Sequence, residues 1–287
     1  MSPDPRRLPA RALLSTRGLR GAAREAAWVG AHLTMYPLGL LSGRRGNRDP
    51  GYAVGALPPV QRGLVVGDVE AAGTPILLLH GMVDNGSVFT VLRRGLTRRG
   101  FGQVVTVNYS PLTMDVRVAA RRLAESVEEL VANTGYRRVH MVGHSLGGLV
   151  ARYYVQRLGG DARVHTLVTL GTPHTGTIPA YFLPLRLGRQ LRPGSDLMTE
   201  LAGPAPGCRT RFLSYWSDLD QMIIPKSAAQ LHHPDLMTRN VRVHGVGHLS
   251  FAIDRRVVHE IGVELAQLDA EGRMVGAGVT VLGDRSG

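Results

Sequence analysis

Residues 139–150 read Val-His-Met-Val-Gly-His-Ser-Leu-Gly-Gly-Leu-Val. An apolar run turns sharply at Gly143-His144-Ser145-Leu146-Gly147 and continues as a helical pattern. A serine at a tight strand-to-helix corner has strained backbone angles, and bulky residues two positions away on either side would collide. Glycines at 143 and 147 remove those collisions, so the spacing is that of a nucleophile elbow with Ser145 at its tip. The same corner places Ser145 over the first turn of a helix, where unpaired backbone N–H groups can meet a developing negative charge. Read alone, the string is also compatible with a glycine-rich turn that holds a serine by chance.

Upstream, Thr74 to His80 is a short continuous apolar run opening into His80-Gly81-Met82, as expected of a strand buried on both faces that ends in a loop. In an acyl-transfer site such a loop supplies one of two oxyanion-hole donors. The backbone N–H groups of Met82 and Leu146 are assigned that role, the second because it follows the serine. His80 reads as a structural histidine that fixes the loop by hydrogen bonding. Downstream, Asn240 to His248 is an alternating strand followed by a glycine-bracketed loop that presents His248, the expected general base. His244, inside the strand pattern, reads as a satisfied core or surface histidine. A carboxylate is expected between serine and histidine in chain order. Thr210 to Ser217 reads as a strand with Asp218 and Asp220 just beyond it. Asp220 is chosen because the apolar Met222-Ile223-Ile224-Pro225 follows it directly, and Asp218, nearer the strand, stands as the alternative.

Between these landmarks, helix patterns at Val88, Val91, Leu92 and Leu96 and at Val116, Leu123, Val127, Leu130 and Val131 alternate with strands at Gln103 to Tyr109 and Val164 to Leu170. This alternation predicts an α/β protein, a mostly parallel sheet with helices on both faces, with ligands beyond the strands' carboxyl ends. Four strings then carry a family resemblance: His80-Gly81-Met82, Gly143 to Gly148, Leu170-Gly171-Thr172-Pro173-His174-Thr175-Gly176-Thr177, and His244-Gly245-Val246-Gly247-His248. In this order, over roughly residues 74 to 255, the chain resembles a bacterial lipase or esterase of the α/β-hydrolase superfamily. The resemblance implies hydrolysis of triacylglycerols or other carboxylic esters, with Ser145 as nucleophile, His248 as base, Asp220 as its partner, and Met82 with Leu146 as oxyanion donors. An acyl thioesterase or acyltransferase could use the same site. A non-catalytic hydrolase-fold protein binding a membrane surface is a reading of a different class.

Thr175 to Pro206 is longer than a loop between core strands requires, a helical insertion before the acid strand. It holds Ile178, Tyr181, Phe182, Leu183, Leu185 and Leu187, then Pro193-Gly194-Ser195-Asp196 ahead of a helix pattern at Leu197, Met198 and Leu201. A lid or acyl-binding wall and an ordinary surface helix pair are both open readings. Under the first, Tyr181, Phe182 and Leu183 are substrate-binding.

At 287 residues and 44% hydrophobic content, the chain can bury one large core. The expected organisation is a basic arm over 1–60, a hydrolase domain over 61–270 and a tail over 271–287. The single Cys208 excludes an intrachain disulfide, and His232-His233 beside Asp235 reads as a solvated loop. No cofactor and no catalytic metal are expected. The net charge of +12 is almost all arginine, Lys226 being the one lysine, and residues 1–50 carry half of it. This arm could meet anionic lipid, as a peripheral membrane contact, or nucleic acid. No nucleic-acid module is recognisable, and none is expected to bind. Within it, Ala26 to Leu41 is apolar but short for a membrane span. It reads as a helix packing on the body or lying in an interface. A cytoplasmic or peripheral-membrane placement is expected ahead of secretion.

Overall fold

The computed structural model describes residues 73–82, 86–107, 115–183 and 185–266. The arm over 1–60, its apolar stretch Ala26 to Leu41 and the tail over 271–287 lie outside the described residues. Six strands form one sheet: β1 (Ile76–Leu79), β2 (Val104–Val107), β3 (Val139–His144), β4 (Val164–Leu170), β5 (Arg211–Ser217) and β6 (Met237–Val243). Their order across the sheet is β2-β1-β3-β4-β5-β6, and every neighbouring pair is parallel. The helices are α1 (Thr90–Arg98), α2 (Val116–Thr134), α3 (Leu146–Arg157), α4 (Arg186–Gln190), α5 (Asp196–Ala202) and α6 (Arg255–Leu265).

Because successive side chains of a strand point to opposite faces, β1 serves two cores at once. Leu77 and Leu79 join residues of α2 and α3 on one face, and Ile76 and Leu78 join residues of α1 and α6 on the other. All four are at most 1% exposed, and each such side chain contributes about 1.5–3 kcal/mol by leaving water. The continuous apolar run is thus what a parallel strand sandwiched between helices requires.

The helix ends follow local chemistry. Asp115 caps α2, its carboxylate accepting from Arg117 N at 2.8 Å, and Gly135 ends that helix in the left-handed region at φ 75°. Ser195 and Asp254 cap α5 and α6 in the same way. Two expectations shift. Strand β6 begins at Met237, ahead of Asn240, so His244 lies just past its end. Val91, expected on the buried stripe with Leu92 and Leu96, is 37% exposed: all three lie within α1, where about 3.6 residues per turn put Leu92 and Leu96 on one face and Val91 off it. Among the described residues no helix is long and apolar enough to cross a membrane.

Candidate active site

Strand β3 ends at His144, α3 starts at Leu146, and Ser145 takes the whole turn between them, at φ 52° and ψ −118°. It is the sole non-glycine residue with positive φ among the described residues. Such a conformation costs of order 1–3 kcal/mol and persists only where its surroundings dictate it. Here Ser145 N–H donates to Leu170 O at 2.9 Å, while Ser145 O accepts from Gly148 N–H at 3.1 Å and from the Thr172 hydroxyl at 3.0 Å. The turn also brings α3 against the end of β1: a Cβ on Gly147 would lie 2.3 Å from Leu79 O and 2.7 Å from His80 O, both backbone atoms. His80 is buried, with Nδ1 2.8 Å from Gly81 O, so its ring holds the peptide that leads to Met82.

The loops after β5 and β6 converge on the same end of the sheet. His248 Nδ1 lies 2.8 Å from Asp220 Oδ2, with both side chains buried. Because a carboxylate can only accept, Nδ1 carries the proton, which leaves Nε2 free to act as a base. Asp220 Oδ1 accepts from Met222 N–H at 2.9 Å and Ile223 N–H at 3.0 Å. Burial alone would raise the Asp220 pKa, but the neighbouring His248 and these backbone donors hold it below the usual carboxylate value. Asp218 is turned away: its Oδ2 meets His244 Nδ1 at 3.1 Å and Arg242 Nη2 at 3.2 Å at the protein surface.

Two contacts were not assigned roles from sequence. His144 Nε2 donates to His248 O at 2.9 Å, and the two rings lie 4.8 Å apart, which ties the end of β3 to the histidine loop. Gly171, at φ 55°, sits beneath the Asp–His pair: a Cβ there would lie 2.8 Å from Asp220 Oδ2 and 3.1 Å from His248 Nδ1. The string 170–177 marked this loop, but the spacing of its residues could not show what they touch.

Ser145 and His248 face one cavity of about 290 Å³ together with Met82 and Leu146. The rest of its wall is apolar apart from Thr177 and includes Phe182, Leu183, Leu191, Met222 and Ile223. Thr177 is itself engaged, donating to Met222 O at 3.0 Å and accepting from Ile224 N–H at 2.9 Å. The structure therefore brings Phe182 and Leu183 to the cavity. Tyr181 lies outside its wall, with Arg192 stacked over its ring at 4.9 Å. Phe182 is 86% exposed, and Ile178, Tyr181, Leu185 and Met222 are exposed beside it, an apolar rim where water would otherwise be preferred.

The insertion has two differently anchored parts. Arg152 and Arg157 of α3 donate to the carbonyls that close α5: Arg152 Nη2 to Leu201 O at 2.8 Å, and Arg157 to Glu200 O, Gly203 O and Pro204 O. Cations at a helix's carboxyl end suit its dipole. Burial pulls the Arg152 pKa down to about 9. Gln190 of α4 accepts from Val116 N–H at 3.0 Å, and Glu200 accepts from Tyr153 at 2.6 Å and Arg117 at 2.9 Å. Ile178, Tyr181, Phe182 and Leu185 carry the exposed apolar side chains instead. His232 and His233 bond to Gln230 Oε1 and Gly203 O, and among the described residues no cluster of three or more metal-ligating side chains occurs.

Comparison with known proteins agrees with this architecture. The chain is 30% identical over 173 residues to a triacylglycerol lipase of Burkholderia plantarii, covering 57% of this chain and 43% of the relative. It is 33% identical over 111 residues to a triacylglycerol lipase of Vibrio cholerae, covering 37% and 34%. The chain thus spans between a third and about two fifths of the length of these curated relatives. Among solved structures, the mature form of a Bacillus licheniformis lipase superposes with a TM-score of 0.58 at 16% identity, covering 68% of this chain and 92% of that one. A monoacylglycerol lipase of Paleococcus ferrophilus gives a TM-score of 0.53 at 17% identity, covering 68% and 96%. At such identities the likeness is one of fold. The model of the family described as palmitoyl protein thioesterase matches residues 75–222, just over half of the chain. The chain has the α/β-hydrolase fold and belongs to the palmitoyl protein thioesterase family.

Proposed function

We propose that this protein is a serine hydrolase that cleaves fatty acyl esters through an acyl-enzyme, with Ser145, Asp220 and His248 as its triad. The observation that carries the reading is the His248–Asp220 bond of 2.8 Å behind an imidazole that shares an apolar cavity with a serine at a strained elbow. His248 Nε2 takes the Ser145 proton as Oγ attacks the acyl carbonyl, and Asp220 orients the ring and stabilises its charged form. The N–H groups of Met82 and Leu146 receive the oxyanion, a role in which one donor is worth on the order of a hundredfold or more in rate. The leaving group departs with the proton from His248. Water then attacks the acyl-Ser145 carbonyl with His248 again as base, releasing the acid. The apolar wall and the rim at Phe182 and Met222 support an unsubstituted acyl chain as the part of the substrate that the cavity holds.

A second reading, acyl thioester hydrolysis, is favoured by the family match, since the same site needs only a thiol in place of the alcohol. The test is a profile of p-nitrophenyl esters and acyl thioesters of matched chain length, with Ser145→Ala as control. Turnover of either class that is abolished in the control supports the hydrolase. Turnover that survives Ser145→Ala, or none on any substrate, overturns it. The ratio between the two classes decides between ester and thioester.

A further inference from the structure

We propose that Thr172 is a positioning residue for the nucleophile, its hydroxyl holding the carbonyl of Ser145 and so the strained turn from which the Ser145 side chain projects. The inference rests on the serine-hydrolase reading above and extends it to a residue outside the triad and the oxyanion hole.

Three successive residues, the last of β4 and the two that follow it, touch all three members of the candidate triad. Leu170 O accepts from Ser145 N–H at 2.9 Å. Gly171 packs so closely under Asp220 and His248 that a single added carbon would lie 2.8 Å from the carboxylate. The Thr172 hydroxyl donates to Ser145 O at 3.0 Å. The peptide groups on both sides of Ser145 are therefore fastened to one short segment, and that segment also sets the seat of the Asp–His pair. Ser145 needs the fastening, because its φ of 52° is one that an L-residue leaves when released.

Thr172 is fully buried and built into the elbow from the other side as well. A Cβ on Gly148 would lie 1.9 Å from its hydroxyl oxygen, so the glycine after Gly147 gives this side chain its place. Among the described residues, Thr172 is the one side chain that hydrogen-bonds the Ser145 backbone. It takes no part in the cavity wall, where its neighbour Pro173 does. Loss of the hydroxyl should then change how Ser145 is presented without changing how a substrate is held. The effect falls on kcat and on the rate of covalent modification, with KM preserved.

The experiment uses the full-length chain. Thr172→Val removes the hydroxyl at nearly constant volume and Thr172→Ser restores it. Labelling by a fluorophosphonate is followed by intact mass, alongside kcat, KM and the pH profile for a p-nitrophenyl ester. The expected result for Thr172→Val is a loss of about tenfold in labelling rate and kcat, the rate equivalent of one buried hydrogen bond. KM stays within about twofold and the midpoint of the acid limb does not move, since the Asp–His pair is untouched. Thr172→Ser returns to within about twofold of the wild type. If thermal melting shows that Thr172→Val does not fold, Thr172→Ala, which adds no atoms, carries the same expectation. A valine variant as fast as the wild type, a serine variant as slow as the valine one, or a loss confined to KM overturns the assignment. A wild type that is never labelled at Ser145 overturns the serine-hydrolase reading and this inference with it.

Discussion

Replacing Asp220 by asparagine, with Asp218→Asn beside it, separates the two carboxylates that compete for one role. In Asp220, Oδ1 already accepts from two backbone N–H groups, so an asparagine would keep its carbonyl oxygen there. Its amide nitrogen then takes the place of Oδ2, 2.8 Å from His248 Nδ1, and presents a donor where the ring also had one. The imidazole must shift its proton to Nε2, the nitrogen that has to receive the serine proton. Side-chain volume and backbone bonds are preserved, so the cost falls on chemistry. In a serine protease this tautomer error costs about ten-thousandfold in kcat, or about 5.5 kcal/mol of barrier. Asp218 meets His244 and Arg242 at the surface, a class of pair worth about 0–1 kcal/mol in stability. Asp218→Asn should leave kcat/KM within about twofold. The assay is ester hydrolysis with parallel thermal melts. An Asp220→Asn variant keeping more than about a tenth of wild-type kcat, or an Asp218→Asn variant losing a hundredfold, would refute the placement of the acid.

Two further outcomes are expected. For straight-chain p-nitrophenyl esters, kcat/KM should rise about fourfold per added methylene, the rate equivalent of about 0.8 kcal/mol of apolar burial, until the cavity of about 290 Å³ is filled. A flat profile from acetate upward would contradict an acyl chain in that cavity. Acid should unfold the protein through its capped carboxylates. Burial would raise the Asp161 pKa, but bonds from Thr210 and Arg209 at 2.7–2.8 Å hold it below 3.8, and Asp115 and Asp254 are lowered as well. Because these folded-state values lie below the unfolded ones, the stabilisation is present above about pH 4 and is lost as the pH falls through the depressed values. Urea midpoints measured from pH 7 down to pH 2 should drop steeply below that point. Asp161→Asn should cost about 1–2 kcal/mol at pH 7 and flatten the drop.

The sheet could be read from the chain because parallel strands buried on both faces leave mainly apolar stretches: β1 is a continuous one, while β3 and β4 are interrupted by buried residues such as His140, His165, Thr166 and Thr169. The elbow was legible because its glycines answer a steric demand that spans only five residues. Edge strands were harder: β6 alternates in exposure and its start slipped by three residues, since one partly wetted face weakens the apolar signal. The links among Gly171, Thr172, His144 and the triad residues were invisible, because they join segments up to 104 residues apart and depend on the register of β3, β4 and β5. Tyr181, Phe182 and Leu183 could not be told apart by hydrophobicity. Only the 3-10 turn over Ile178–Phe182 decides that Phe182 meets the cavity while Tyr181 meets Arg192.

The uneven anchoring of the insertion bears on how this scaffold could be altered. The arginines that clamp α5 come from α3, the helix that follows Ser145, so exchanging the whole stretch from 175 to 206 would tear carbonyl partners from the buried Arg152 and the half-buried Arg157. Changes confined to the exposed Ile178, Tyr181, Phe182 and Leu185 would alter the apolar edge and leave the buried Ala180 in place. That edge is bounded by Thr177, bonded across to Met222 and Ile224, and by the start of α4. Substrate preference can then be varied in a library of those four positions while the melting temperature stays with the framework beneath.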